Sequence, residues 1–404
     1  MARPLRILLA ALALPYPPVT GHRLRTWALV RALAAEGHGL SLVSFAEASE
    51  GALDLAPLRA ICGALELVPA PTAPAARRTE MLERLRALAS PLPYGAWRYR
   101  SGAFRERVER ELARGDFDLV ICDGVYNLQN LSRNLAVPIL LNKDDIAHVI
   151  IRRYLRLESS RLRRLYGALE ARKVRHWERR SCASVRGVLA CSDIDRAELL
   201  RLAPSAAVFV APNVVDTDHY VPGDGGEPRT VLFQGGLDWH PNRDGVDFFV
   251  TEILPQLRRL EPSALFRVAG RTGPEAFVRR FAGRPGVQFT GTVPDMRAEI
   301  ARAAVCVVPL RIGSGTRLKI LEAGAMGKAI VSTTLGAEGL DLVPDEEIVI
   351  ADRAQDIAGA LHALLRDPAR RDRLGRAARL RVEKQYSQPV FAAMLREALA
   401  VIAQ

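Results

Sequence analysis

At 404 residues the chain is too long for one ordinary core, and two α/β domains of about 200 residues each are the expectation. Hydrophobic residues make up 49% of it, yet no segment is both long and uncharged enough to cross a bilayer as a helix. The net charge of +12 points to nucleic acid, an anionic membrane surface or polyanionic substrates without choosing among them.

Arg6 to Leu14 predicts the first buried strand. Its apolar run follows basic residues, as in a signal peptide, but Pro15, Tyr16, Pro17 and Pro18 interrupt it and no small-residue cleavage site follows. Arg23 to Glu36 predicts a helix stopped by Gly37, and Gly39 to Phe45 the next strand. Ala70 to Arg98, rich in Pro, Ala and Arg, shows no strand pattern and reads as a mobile or helical insertion. Asp118 to Cys122 and Pro138 to Leu141 predict short strands that end in polar residues, Asp123 and then Asn142 to Asp145. Val188 to Cys191 predicts a strand feeding a helix capped by Ser192 or Asp193.

Between Ile151 and Arg186 twelve Arg or Lys stand against three Glu, with Tyr154, Leu155, Leu165 and Tyr166 interleaved. This predicts one or two amphipathic basic helices, either a solvated arginine-rich face or a surface that docks on acidic phospholipid headgroups. No helix-turn-helix, zinc finger or stacking platform supports a nucleic-acid partner. After Asn213 the run VVDTDHYVPGDGGEPRT loses periodicity, which places a domain boundary there and predicts domains of residues 1–214 and 215–385. From Thr230 to Phe233 the strand and helix alternation resumes up to about Ala360, followed by two short helices and a terminal one, Ser387 to Ile402. Such alternation predicts parallel sheets with helices on both faces. Cysteines 62, 122, 182, 191 and 306 show neither a CxxC spacing nor an even count, so a disulfide scaffold and a metal site are not expected, and a reducing cytoplasm is.

The most informative stretch is 309–340, PLRIGSGTRLKILEAGAMGKAIVSTTLGAEGL. Ala303 to Leu310 reads as a buried strand, Gly313, Ser314, Gly315 and Thr316 break the pattern, and apolar periodicity resumes at Leu318, so a helix is expected to start near Thr316. Two glycines let the backbone approach a ligand, and the unpaired N–H groups of a first helical turn favour an anion such as phosphate. Arg317 adds a planar fork of donors and Lys319 a mobile point charge. Glu322, one turn on, suits paired sugar hydroxyls. The plainer alternative is a capped helix with two solvated cations and a surface glutamate. A second strand, Ala329 to Thr334, and the turn at Gly336 to Gly339 place the unit inside a strand, helix, strand repeat, where ligands collect at the carboxyl ends of strands.

The run from Gly313 to Leu340 resembles the donor-binding signature of glycosyltransferase family 4, whose members have the two-domain GT-B fold. FQGGLDWHPNRDGV at 233–246, VAGR at 268–271 and GTVPDMR at 291–297 extend the resemblance, and PYPPVTGHRLRTWALVRAL at 15–33 resembles the first loop and helix of that family's acceptor domain. The resemblance is strong in the second half and loose between about Glu47 and Val120. It implies two Rossmann-like domains facing each other across a cleft, with residues 386–404 packing back on the first domain and the Ala70 to Arg98 insertion on the acceptor side.

Carried onto this chain, the family's roles make Gly236 the close-approach glycine under a diphosphate and Arg243 a cation in place of the lysine many members have. Thr292 and Val293 would meet a nucleobase, against an ordinary strand end, and Arg271 a phosphate or base, against a surface ion pair. The family's paired glutamates lie eight residues apart, and Ser314 occupies the first position while Glu322 keeps the second. The sugar is thereby left to the amides of Gly313 to Gly315. On the acceptor side Asp144, Asp145 or His148 would orient a hydroxyl, the alternative for His148 being a surface helical position. Gly21 would allow close approach while His22 and Arg23 meet the departing phosphates.

The resemblance implies a retaining sugar transfer from a nucleotide diphosphate sugar to a hydroxyl of a glycan, lipid-linked or small-molecule acceptor. Arg317, Lys319 and fixed N–H groups would stabilise the leaving diphosphate without a metal or other cofactor. The expected location is cytoplasmic, with peripheral contact to the inner face of a membrane. Two other classes stand beside it, a GT-B nucleotide-sugar epimerase and a non-catalytic scaffold for acidic lipid or RNA.

Overall fold

The computed structural model describes residues 3–50, 52–71, 77–132, 135–223 and 226–402. The chain divides into two compact units, one of residues 1–212 with 391–404 and the other of residues 213–390.

In the first unit seven strands run parallel: β1 (Arg6–Ala11), β2 (Gly39–Ala46), β3 (Cys62–Pro69), β4 (Leu119–Asp123), β5 (Ile139–Asn142), β6 (Gly187–Ala190) and β7 (Val208–Val210), in the order β3-β2-β1-β4-β5-β6-β7. Every β1 residue after Arg6 is buried, as the centre of a sheet covered on both faces requires. Phe45 of β2 stacks on Phe104 with centroids 4.4 Å apart, anchoring one helical layer. The helix Gly21–Ala35 starts where Thr20 Oγ1 accepts the Arg23 N–H at 3.3 Å, and it gives way to Gly37 at φ 81°. The end of the C-terminal helix Gln388–Ile402 belongs to this unit, where Arg396 Nε donates to Glu36 at 2.9 Å and Ile402 lies against Gly187.

The second unit carries six parallel strands: β8 (Thr230–Gln234), β9 (Leu265–Ala269), β10 (Val287–Gly291), β11 (Val305–Val308), β12 (Ala329–Ser332) and β13 (Val349–Ile350), ordered β10-β9-β8-β11-β12-β13. This is the order of the first six strands of the other sheet. Each sheet therefore has a switch point, between β1 and β4 and between β8 and β11, and the crevice outside the strand carboxyl ends there is where doubly wound sheets bind ligands.

Several expectations need correction. Edge strand β3 shows a mixed burial pattern, and Gly63 and Glu66 break the apolar run that marks a buried strand, so it was not predicted. β7 and β13, of three and two residues, are too short to show any period. The two short helices before the terminal one have 13 and 18 residues, Ala354–Arg366 and Pro368–Gln385, because Pro368 opens the second helix, as a first-turn proline can. The Ala70 to Arg98 insertion contains helices Arg77–Ala89 and Tyr94–Arg98, while residues 72–76 of it, and 224–225 of the linker, lie outside the described residues. The basic stretch forms two helices, Ala147–Leu157 and Arg161–Ala183.

The second unit's core is centred on Phe249 and Phe266, both fully buried and stacked with centroids 3.8 Å apart. Phe249→Ala is expected to lower the unfolding free energy by about 3–5 kcal/mol, read as a lower urea midpoint with an unchanged native far-UV spectrum.

Candidate active site

At the switch point of the second unit, β8 ends in Gln234 and turns through Gly235, whose φ of 150° is open to glycine. A Cβ there would lie 2.8 Å from Asn242 Nδ2 and 2.9 Å from Lys319 Nζ. Glycine thus clears the space that these two side chains share. Lys319 Nζ donates to Asn242 Oδ1 at 2.8 Å and sits 4.1 Å from the Phe233 ring centroid. Burial first, and the Arg317 charge second, push the Lys319 ammonium down to about 7.

Opposite lies the loop after β11. The helix it feeds spans Leu318–Ala325, with Arg317 as its cap, so it starts after the predicted Thr316. The loop stays non-helical because Gly313 and Gly315 hold φ of 147° and 72°, and Arg317 folds back onto them. Its Nη1 donates to Ser314 O at 2.6 Å and to Gly315 O, and its Nη2 to Leu335 O at 3.4 Å. A Cβ on Gly313 would lie 2.6 Å from that Nη2. Arg317 is therefore an internal brace of the glycine loop, buried to 8% exposure, rather than a solvated cation. The Thr316 Oγ1 and Gln234 Oε1 atoms are buried without a hydrogen-bond partner.

Glu322 accepts from Gln234 Nε2 at 2.6 Å and from Tyr220 Oη at 3.2 Å. Burial raises its pKa, and those two donors oppose the rise. It is no surface glutamate. Gly236 lies beside a separate group, because Arg271 Nη2 donates to Asp238 Oδ2 at 2.7 Å, and a Cβ on Gly236 would meet Asp238 Oδ1 at 2.3 Å. Arg243 Nη1 donates to Leu237 O at 2.7 Å and Asp238 O at 2.8 Å, sewing the same loop together. Thr292 is exposed and Val293 half-buried just beyond β10, the sheet edge two strands away from β8.

In the first unit the carboxyl ends of β4 and β5 meet the start of the Gly21–Ala35 helix, which Gly21 opens at an exposed position. His22 Nδ1 lies 3.0 Å from Asp144 Oδ2, and Nε2 lies 2.9 Å from Asp123 Oδ2. Burial alone would lower the His22 pKa, but Asp123 and Asp144 outweigh it and hold it well above its ordinary value. His22 in turn overcomes the effect of burial on Asp144 and keeps that carboxyl far below its usual range. Burial and the neighbouring Asp144 charge push Asp145 up to about 7. Beneath them Asn142 Nδ2 donates to Asp123 Oδ1 at 2.8 Å, and the fully buried Arg25 Nε donates to Asn142 Oδ1 at 2.9 Å.

Two acceptor-side expectations change. Arg23 is buried and paired with Glu50, which commits its charge away from an incoming phosphate. His148 is neither a surface residue nor free to meet a hydroxyl, since its Nδ1 lies 2.5 Å from Glu178 and its Nε2 3.0 Å from Glu198. Among the described residues no group of three or more His, Cys, Asp or Glu is placed to hold a metal ion.

Residues 19–219 match the family described as Glycosyltransferase Family 4, and residues 228–367 match Glycosyl transferases group 1. The chain belongs to glycosyltransferase family 4. A GDP-mannose-dependent monoacylated alpha-(1-6)-phosphatidylinositol monomannoside mannosyltransferase of Corynebacterium glutamicum is 29% identical over 156 residues, 36% of this chain and 41% of that protein. The chain spans less than half the length of the curated relatives it matches. Its fold is that of sucrose-phosphate synthase from Thermosynechococcus elongatus, with a TM-score of 0.73 at 17% identity over 98% of both chains. An Anabaena protein, HepE, solved in complex with UDP and glucose, gives 0.67 at 13% identity over 98% of this chain and 99% of that one. These likenesses place this glycosyltransferase in the GT-B fold.

Sequence reasoning missed Gly235, Asn242, Gln234 and Tyr220 around Lys319 and Glu322, and Asp123 beside His22. Gln234, Gly235 and Asn242 lie inside FQGGLDWHPNRDGV, so that stretch carried the signal. Nothing local marked Tyr220, whose partner is 102 positions away.

Glu178 of this glycosyltransferase also accepts from Lys143 Nζ at 2.5 Å and from the Ala147 N–H at 3.0 Å, all at buried or half-buried positions. Glu178→Ala leaves Lys143 without its carboxylate and His148 with Glu198 alone, and a loss of about 3–5 kcal/mol is expected in urea unfolding.

Proposed function

We propose that this chain moves a sugar from a nucleoside diphosphate sugar to a hydroxyl of a glycan, lipid-linked or small-molecule acceptor, with retention of anomeric configuration and without a metal. The observation that carries this reading is Lys319. Its ammonium is met by a neutral amide oxygen and an aromatic face at the β8/β11 switch point, beside a loop whose glycines keep side chains clear. Removing a charge from water is costly unless a counter-charge arrives, and an anionic diphosphate supplies one. The unpartnered Thr316 hydroxyl and Gln234 carbonyl add polar groups that a ligand would satisfy. The HepE structure, which holds UDP and glucose, and the GDP-mannose-dependent relative support the donor class.

As the glycosidic bond breaks, negative charge grows on the leaving diphosphate. Lys319 and the loop amides would stabilise it where it appears, with Arg317 holding that loop in shape. The leaving phosphate oxygen can take the proton of the incoming hydroxyl, so no separate base is needed. On the first unit the His22–Asp144 pair offers a polar, partly exposed group to an acceptor. With Glu322 held by Gln234 and Tyr220, its remaining lone pairs are the place for ribose hydroxyls.

A thermal-shift panel of UDP-, GDP-, dTDP- and ADP-sugars tests the reading. At least one donor at a hundredfold excess over its Kd is expected to stabilise the protein by about 2.7 kcal/mol, seen as a rise of several degrees in Tm, and Lys319→Ala to abolish the shift. No response from the wild type, or an equal response from the variant, overturns it. An epimer formed from donor alone would move the protein to the epimerase class instead.

The same lysine sets a pH signature. Diphosphate binding raises its pKa from about 7, so binding takes up a proton wherever the free enzyme has lost one. Affinity for the nucleotide sugar is then expected to fall about tenfold per pH unit above 7, with uptake approaching one proton in calorimetry across buffers of different ionisation enthalpy. Lys319→Met should flatten the profile.

A further inference from the structure

The helix Arg161–Ala183 has two apolar faces. Gly167, Ala171 and Val174 are buried against the first unit. Leu162, Leu165 and Leu169, spaced by three and four residues, form a second stripe on the opposite side, and they are 80%, 62% and 46% exposed. The helix Arg77–Ala89 lies alongside. Lys173 Nζ donates to Ala87 O at 2.8 Å and Leu88 O at 2.9 Å, and the Arg84 guanidinium lies 6.0 Å from the Tyr166 ring centroid. That neighbour also turns Met81, Leu82 and Leu85 outward, and Leu157 is exposed at the end of Ala147–Leu157.

Charge on this surface has one sign. Nine arginines of Ala147–Leu157 and Arg161–Ala183 are exposed, while Glu158, Glu170 and Glu178 are half-buried or buried. A soluble protein rarely leaves so many leucines on two adjoining helices without a use for them. A second copy of the chain would set this basic face against itself, with like charges opposed. Nucleic acid would meet the arginines but leave the leucines in water, and the stripe carries no exposed aromatic ring for a base to stack on. An anionic bilayer fits both features, since leucines enter the acyl boundary while arginines lie at the headgroups.

We propose that the adjoining faces of Arg77–Ala89 and Arg161–Ala183 dock this protein on an anionic lipid bilayer, with Leu162 and Leu165 inserting among the headgroups. Co-flotation of the full chain with vesicles tests it. The wild type is expected to float with phosphatidylcholine vesicles containing phosphatidylglycerol, to leave vesicles of phosphatidylcholine alone unbound, and to bind less as salt is raised. Leu162→Asp with Leu165→Asp should cut the partition coefficient roughly tenfold or more, and Arg161→Gln and Arg164→Gln roughly fivefold each. All four positions are exposed, so an unchanged Tm confirms that the variants fold. Three results overturn the proposal: no flotation with phosphatidylglycerol, flotation undiminished by the leucine pair, or a dimer in sedimentation that the leucine variants split.

Discussion

A half-buried lysine ammonium without a carboxylate in hydrogen-bond contact is the constraint around which the second unit's site is arranged. Asn242 gives Lys319 one neutral oxygen and Phe233 gives it a ring face, neither of which replaces a counter-ion. The other polar groups follow from this. Gly235 suits its place because its φ of 150° strains other residues and a Cβ would displace the tips of Lys319 and Asn242, and Glu322 is held by Gln234 and Tyr220, clear of hydrogen-bond contact with the ammonium. Were Glu322 to close on Lys319, the site would be neutralised from within and would have no charge left for the proposed diphosphate.

The two sheets share a strand order but differ in electrostatic state at their switch points. In the first unit His22 lies between Asp123 and Asp144 with the buried Arg25 guanidinium beneath, so two cations and two carboxylates compensate one another before any ligand arrives. In the second unit Glu322 acts on Lys319 only through space, without a hydrogen bond, and two buried polar atoms, Thr316 Oγ1 and Gln234 Oε1, lack partners as well. A common topology therefore offers one site with its charges matched, suited to a neutral hydroxyl, and one with a charge outstanding, suited to a phosphate. The topology provides the crevice, and the side chains decide what enters it.

How far the sequence reveals this depends on whether the signal is local. The stretch 309–340 is legible because strand, glycine loop and helix follow each other directly, and each leaves its own mark in composition. What Arg317 does there is not legible. Two residues of difference in the helix start turn its guanidinium from outward-facing ligand to internal brace, and that start is set by the φ angles of Gly313 and Gly315 and by the Leu335 carbonyl. His148 fails for a related reason. Its helix could have turned it to solvent, and only Glu178 and Glu198, 30 and 50 positions later, bury it. Strands β3, β7 and β13 escaped because edge or very short strands lack the continuous apolar run of a central one.

The chain's net charge, uninformative as a total, becomes an argument once it is located. Residues 147–183 hold eleven Arg or Lys and three Glu, which is two-thirds of the +12 carried by all 404 residues. That charge is separate from the one proposed to meet an anion at β8 and β11, where a single lysine would act at short range. Screening confines exposed charges to about 8 Å at physiological ionic strength, so arginines on a helical surface act on what touches that surface. The excess on these helices therefore needs its own cause, and the proposed bilayer contact would use both the arginines and the leucines standing among them.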